Sequence, residues 1–271
     1  SRKNDGFGNT TLQIGDADQL AVKTGIITIN DFRQKNIAQG LEGAPLAVYG
    51  DYLLFNHPTE NRILLNIGGI SNFTFLPVNV NFESILSTDV GPGNKMMDQF
   101  INRINSQLFY DKNGEMATLG NVNEELLNEL LNHDFFELSF PKSTGPELFN
   151  LNYLDSAILK CKTKDLSNEN IMATLNFFTA KTIELAIKKT TKNLKNAAIY
   201  ISGGGHHNIL LVSNLKRLLA GFSLKNISDL GVNPDAKEAL LFAILANETI
   251  AGDYKDFNKE TLSMGKISLP L

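Results

Sequence analysis

The sequence predicts an α/β fold: a mixed sheet flanked by helices, with part of a second lobe. Three observations predict it. The short apolar runs Arg62-Ile63-Leu64-Leu65-Asn66-Ile67 and Ala197-Ala198-Ile199-Tyr200-Ile201-Ser202 have the length and branching of buried strands, and both end in glycine clusters. The alternating segment Asn72-Phe73-Thr74-Phe75-Leu76 follows the first run across Gly68-Gly69, as the return of a hairpin does. Longer stretches between the runs carry apolar residues at helical spacing, above all from Glu169 to Lys189, where Ile171, Leu175, Phe178 and Leu185 share a face.

Bulk properties narrow the function. A chain of 271 residues can bury a substantial core in one large domain or two smaller ones. Its 42% hydrophobic and 20% charged residues are those of a soluble globular protein. A formal charge of −4 leaves no basic footprint, which argues against a nucleic-acid partner. No apolar run approaches the ~18 residues that span a bilayer, so no membrane role is expected. Cys161 is alone, which points to a reducing setting and a structural thiol. The opening Ser1-Arg2-Lys3-Asn4 has neither an apolar leader nor an initiator methionine, as expected of a processed, trimmed or partial chain.

Taken in order, residues 1–10 form a polar lead-in, Thr11–Asp16 a short alternating strand, and Ala17–Thr24 a helical turn. Ile26–Ile29 reads as a buried strand that delivers Asp31-Phe32-Arg33 to its C-terminal end, where open α/β sheets place ligand groups. A glycine-rich turn over 40–45 and a mixed segment over 47–55 lead to His57–Asn61, a polar turn that divides the chain. The expected organisation is a partial N-terminal lobe over 1–60, a larger C-terminal lobe over 61–250 and a tail over 251–271.

A third strand, Phe82–Thr88, follows the hairpin and runs to Asp89, after which Gly91-Pro92-Gly93 opens a helix near Asn94 with Met96, Met97, Phe100 and Ile101 inward. Asn121 and Glu124 are spaced as a capping box for the next helix. Phe140–Glu147 is a loop whose Lys142 could reach a phosphate. Ser223–Ile227 is a last strand, and Asn233-Pro234 has the order of an N-cap and first-turn pair for the helix that ends near Glu248. Its Glu238 faces either a cleft or solvent.

The chemistry concentrates at three glycine clusters: Gly68-Gly69, Gly91-Pro92-Gly93-Asn94 and Gly203-Gly204-Gly205, each after an apolar run. Glycines let backbone N–H groups approach a ligand closely, and a helix N-terminus favours phosphate. Asp89 places a carboxylate beside the second cluster; a capped turn alone would look the same. His206 and His207 lack a third metal ligand nearby, and no metal site is expected of protein side chains alone.

The order strand, turn, strand, turn, strand, helix resembles that of an actin-like ATPase (ribonuclease H-like) lobe. With Asn66–Asn72, Asp89–Asp98, Lys142–Asn150 and Ser202–Asn208 in place, the chain resembles the anhydro-N-acetylmuramic acid kinases, cell-wall (peptidoglycan) recycling enzymes of the sugar kinase, Hsp70 and actin superfamily. The resemblance implies a cytoplasmic phosphotransferase that uses ATP, with Mg²⁺ arriving on the nucleotide. It implies that the enzyme opens a 1,6-anhydro amino sugar with water while phosphorylating O6, with a homodimer as one assembly. Asp89 would be the base. Gly68, Gly69, Gly91, Gly93, Asn94, Gly203, Gly204 and Gly205 would hold nucleotide, and Asp31, Arg33 and Glu238 would hold sugar. The family's Gly-Thr-Ser-x-Asp-Gly and Ser-His-Gly-Gln-Thr segments are not in this chain, so poor turnover by the chain alone is expected. Leu41, Glu42 and Pro146 replace the Gly, Gln and Arg usual in the family. Two other readings stay open: a kinase for another amino sugar, and a degenerate paralogue that binds nucleotide or amino sugar without turnover.

Overall fold

The computed structural model describes residues 12–38, 46–79, 82–163, 165–191, 194, 197–252 and 264–271. The chain forms two compact units, one of residues 1–56, 81–84 and 235–271, the other of residues 57–80 and 85–234. Within the 61–250 stretch, the residues from 235 onward thus group with the first unit.

The first unit begins with α1 (Ala17–Thr24), whose first turn is capped by Asp16 accepting from the Gln19 N–H at 2.9 Å and whose end is closed by Gly25 in the left-handed region. The residues before it are not a strand, and Thr11 lies outside the described residues; here capping by Asp16 outweighs the alternating pattern. Strand β1 is Thr28–Asn30, shorter and later than the run of isoleucines. Ile26 and Ile27 are 65% and 53% exposed, so that run is not buried. α2 (Gln34–Ala38) and α3 (Ala47–Phe55) follow. The mixed appearance of 47–55 is that of a helix with Gly50 and Asp51 turned inward. Gly50 lets Leu241 pack close, and Asp51 pairs with Lys237 at 2.9 Å.

The second unit holds a five-stranded sheet. Strands β2 (Asn61–Ile67), β3 (Ile70–Leu76) and β4 (Leu86–Pro92) form an antiparallel meander, with a short 3₁₀ turn at Phe82–Ser84, in the first unit, before β4. The third strand therefore starts and ends later than its apolar pattern suggests, because the edge-strand ladder continues through Val90-Gly91-Pro92. Helices α4 (Lys95–Ile104), α5 (Glu115–Leu119), α6 (Glu124–Leu131), α7 (Asp134–Glu137), α8 (Leu151–Lys160) and α9 (Asn168–Thr190) come next. The cap of α6 is Asn123, which accepts from the Leu126 N–H; the Asn121 N–H donates instead to Asn170 Oδ1. β5 (Ala197–Ser202), α10 (Ile209–Leu218) and β6 (Ser223–Asn226) complete the sheet in the order β4-β3-β2-β5-β6, with β5 parallel to β2 and β6. A meander followed by two parallel strands added beside β2 is the expected mixed sheet flanked by helices.

Alternate residues of the strands, Ile63, Leu65, Ile67, Phe73, Val90, Ile199 and Ile201, pack on Ala180, Ile183 and Ile187 of α9 and on Leu211 and Leu215 of α10. Burying one such aliphatic side chain contributes about 1.5–3 kcal/mol. A second core joins Met96, Met97, Phe100 and Ile101 of α4 to Leu126 and Leu130 of α6, Leu154 of α8 and Phe178 of α9. The methionines are core. The chain closes in the first unit with α11 (Lys237–Ala251) and β7 (Lys266–Ser268), which pairs antiparallel with β1. α11 starts after a 3₁₀ turn at Pro234–Ala236 and has no side-chain cap, so Asn233-Pro234 does not cap it directly.

Candidate active site

Asp89 sits inside β4, not at its end. It pairs with Asn72 of β3, which pairs with Asn66 of β2, which pairs with Ser202 of β5. One polar row thus crosses four strands, alternating with the residues that face α9 and α10. At about 4.8 Å per strand, the row from Asp89 to Ser202 is roughly 14 Å long, and it runs beside the Gly68-Gly69 and Gly203–Gly205 turns. The register shifts between Ser71 and Asn72, so that Gly91 pairs with Ser71 while Val90 is the extra residue of a β-bulge next to Asp89. Bulges re-aim the adjoining side chain and recur beside active sites.

The Asp89 carboxylate is fixed from outside the sheet: its Oδ2 accepts the Thr144 N–H at 2.9 Å, and its own N–H donates to the Lys142 carbonyl at 3.0 Å. Burial raises its pKa, the Thr144 N–H pulls it back, and the nearby charge of Glu147 raises it further. The hydrogen bond expected to keep this acid ionised is present and offsets burial only in part.

The three glycine clusters come together. The Gly93 and Lys95 N–H groups donate to the Gly69 carbonyl at 3.0 and 3.2 Å, and the Asn94 N–H donates to the Gly68 carbonyl at 2.8 Å. Asn94 Nδ2 reaches the Ile67 carbonyl at 3.3 Å, while its Oδ1 lies near Gly205. The clusters are not equivalent, however. A Cβ on Gly93 would collide with the Gly68 carbonyl, and one on Gly203, whose φ is +80°, would stand 2.6 Å from both Asn66 Oδ1 and the Ile67 carbonyl. One on Gly205 would collide with Ile67. Those glycines let the loops pack on each other, and Gly91 likewise lies against Thr182. Gly68, Gly69 and Gly204 meet nothing nearer than 3.6 Å, so they are the positions where a ligand has room to approach backbone. Asn94 opens α4 but makes no side-chain cap; its amide braces the loops.

His206 and His207 stack on each other with ring centroids 3.7 Å apart, and His206 Nδ1 lies 2.7 Å from the Gly203 carbonyl. Among the described residues no group of three or more His, Cys, Asp or Glu is placed to hold a metal ion. Lys142 is not free for a phosphate, since its Nζ donates to the Phe135 carbonyl at 2.7 Å.

In the first unit, Asp31 has a positive φ of 55° and its Oδ2 pairs with Lys266 Nζ. Asp31 Oδ1 and Arg33 Nε are buried without a hydrogen-bond partner among the described residues, which marks both as groups with unused capacity. Glu238 is exposed in the first turn of α11. Leu41 and Glu42 lie outside the described residues. Asn72 and Thr144 are the site residues that motif reading passed over; pairing the recognised hairpin in register would have found Asn72, whereas Thr144 acts through its backbone and leaves no mark in side-chain chemistry.

No helix among the described residues is long and apolar enough to cross a membrane. The family model of the anhydro-N-acetylmuramic acid kinases matches residues 2–267. Curated relatives of that name include those of Pseudoalteromonas atlantica, 53% identical over 97% of this chain and 67% of its own length, and Pseudoalteromonas translucida, 51% identical over the same shares. That of Caldanaerobacter subterraneus is 41% identical over 96% of this chain and 67% of its own length.

Proposed function

The chain belongs to the anhydro-N-acetylmuramic acid kinase family, and from that premise we propose that it takes part in ATP-dependent opening and phosphorylation of 1,6-anhydro-N-acetylmuramic acid in peptidoglycan recycling. The product is N-acetylmuramic acid 6-phosphate, and the setting is the cytoplasm. The observation that carries this reading is the Asp89 carboxylate, held by the Thr144 N–H at a β-bulge and aligned with the polar row that borders the open glycines.

Asp89 takes a proton from water as that water attacks the anomeric carbon; the bond from that carbon to O6 breaks, and O6 attacks the γ-phosphorus of ATP, whose bond to the β,γ-bridging oxygen breaks to release ADP. The protein's part is positioning and charge stabilisation. Backbone at Gly68, Gly69 and Gly204 receives the nucleotide, with Gly91, Gly93, Asn94, Gly203 and Gly205 shaping the cradle. Asp31, Arg33 and Glu238 are assigned to the sugar, an assignment supported by the unused polar atoms of the first two. Mg²⁺, when bound, neutralises phosphate charge, and with no protein ligand cluster among the described residues it would be held by phosphate oxygens and water.

Asp89→Asn tests the assignment. Because the chain alone is expected to turn over poorly, product is accumulated over long incubation with ATP and the anhydro sugar and followed by phosphorus and proton NMR. Relative to the unsubstituted chain, ring opening and phosphate transfer should fall together by up to about 10²–10⁴-fold, the usual contribution of a general base. Phosphorylation that persists near the unsubstituted rate would overturn it.

A further inference from the structure

We infer that Lys142 is a positioning residue for Asp89: its ammonium, anchored on the Phe135 carbonyl among aromatic rings, holds the loop whose Thr144 N–H fixes the Asp89 carboxylate. This rests on the reading of Asp89 as the base. The connection is continuous. Lys142 Nζ donates to the Phe135 carbonyl at 2.7 Å and lies 4.1, 5.3 and 5.7 Å from the ring centres of Phe135, Phe140 and Phe136. The backbone of the same residue is clamped to β4: its N–H donates to Thr88 Oγ1 at 3.0 Å, and its carbonyl accepts from Thr88 Oγ1 at 3.2 Å and from the Asp89 N–H at 3.0 Å. Two residues on, the Thr144 N–H meets Asp89 Oδ2 at 2.9 Å. The lysine anchor and the carboxylate contact are thus the two ends of one short segment, 142–144.

The charged groups facing this lysine are Lys189 of α9, itself over the Phe140 ring at 5.4 Å, and Glu137 of α7. Burial and the charge of Lys189 lower the Lys142 pKa to about 8, with Glu137 opposing them. At pH 7 the ammonium is still the major form. Facing Asp89 besides Thr144 is Glu147, whose charge raises the Asp89 pKa. The Thr144 N–H stabilises the ionised carboxylate, while burial and the charge of Glu147 on the same loop oppose it, so releasing the loop must displace the Asp89 midpoint.

The test is a carbon-13 carboxyl NMR titration of the chain labelled at aspartate, the Asp89 signal being identified by its loss in Asp89→Asn. Lys142→Met should displace the Asp89 midpoint by about half a pH unit or more, and Lys142→Arg, which keeps a cationic donor, should bring it back. A folded Lys142→Met protein with an unmoved midpoint overturns the proposal. Should that variant not fold, the unsubstituted protein still decides: the Thr144 amide must follow the Asp89 titration and resist exchange below pH 8, and an unprotected amide overturns the proposal. Turnover of Asp89→Asn is read separately. A shifted midpoint with an active Asp89→Asn protein defeats the base assignment and leaves the positioning intact; the reverse pair of results defeats only the positioning.

Discussion

Placing alanine at Gly93 and at Gly204 should separate glycines that build the cradle from those that face a ligand. A methyl at Gly93 runs into the Gly68 carbonyl, which is backbone and cannot rotate away. Overpacking of this kind costs about 1–3 kcal/mol. Relief requires the 93–95 turn to part from Gly68-Gly69, weakening three N–H···O bonds of 2.8 to 3.2 Å, each contributing about 0.5–1.5 kcal/mol. The expected loss is about 3 kcal/mol, or roughly 6–12 °C in melting temperature. At Gly204 the nearest atom to a new methyl is Asn94 Nδ2 at 3.6 Å, so stability should stay within about 0.5 kcal/mol. ATP affinity should fall at least about tenfold, or 1.4 kcal/mol, because the methyl occupies space left for the ligand. Urea unfolding followed by circular dichroism, with calorimetric titration of ATP, reads both effects. An unchanged urea midpoint for Gly93→Ala refutes the steric argument, and full ATP affinity in Gly204→Ala refutes the ligand assignment.

Other outcomes follow from individual side chains. Half-burial raises the Asp98 pKa from 3.8 to about 6, with Lys95 opposing the shift. Its charge therefore costs stability that is intact below pH 4 and lost as pH rises through 6. Asp98→Asn should stabilise the protein at pH 7 by about 1 kcal/mol after allowance for solvent screening and the lost helix N-terminal charge, with no gain at pH 3.5 by urea unfolding. Asp111 accepts the Met116 and Ala117 N–H groups at 2.8 and 3.0 Å at the start of α5; Asp111→Ala should cost about 2–3 kcal/mol in the same assay. Because the Asp89 pKa is raised, the acid limb of the rate profile should lie above the ordinary aspartate range, and Glu147→Gln should move it down. Asn72→Ala should lower turnover while leaving the urea midpoint within about 1 kcal/mol, since its half-buried side chain faces the polar row and is not part of the apolar core.

What could be read from the sequence was local chemistry carried by side chains. Gly68-Gly69 as a hairpin turn, β5 emptying into the triple glycine, and the methionines of α4 as core all have periodicity or turn signals that one segment contains. Asp89 was found as a residue but misplaced within its element, because a bulge is a property of two strands in register and neither strand spells it alone. The isoleucines at 26 and 27 carry strong strand propensity yet stay exposed, since burial depends on partners that propensity does not name. Lys142 reads in sequence as a loop cation within reach of a phosphate, and only the packing of Phe135, Phe136 and Phe140 around it shows otherwise. The division of labour among the glycines was illegible for a similar reason: every one reads the same in sequence, and only the neighbouring carbonyls and side chains distinguish Gly93 from Gly204.

The loop that grips Asp89 also lies along β4, the border strand of the sheet. Left bare, that border would offer free amides and carbonyls to any extended chain and invite copies of the protein to stick together. Loosening the loop should therefore show itself twice, once in the titration of a carboxylate and once in light scattering as self-association, and solubility becomes a screen for damage to the reaction centre.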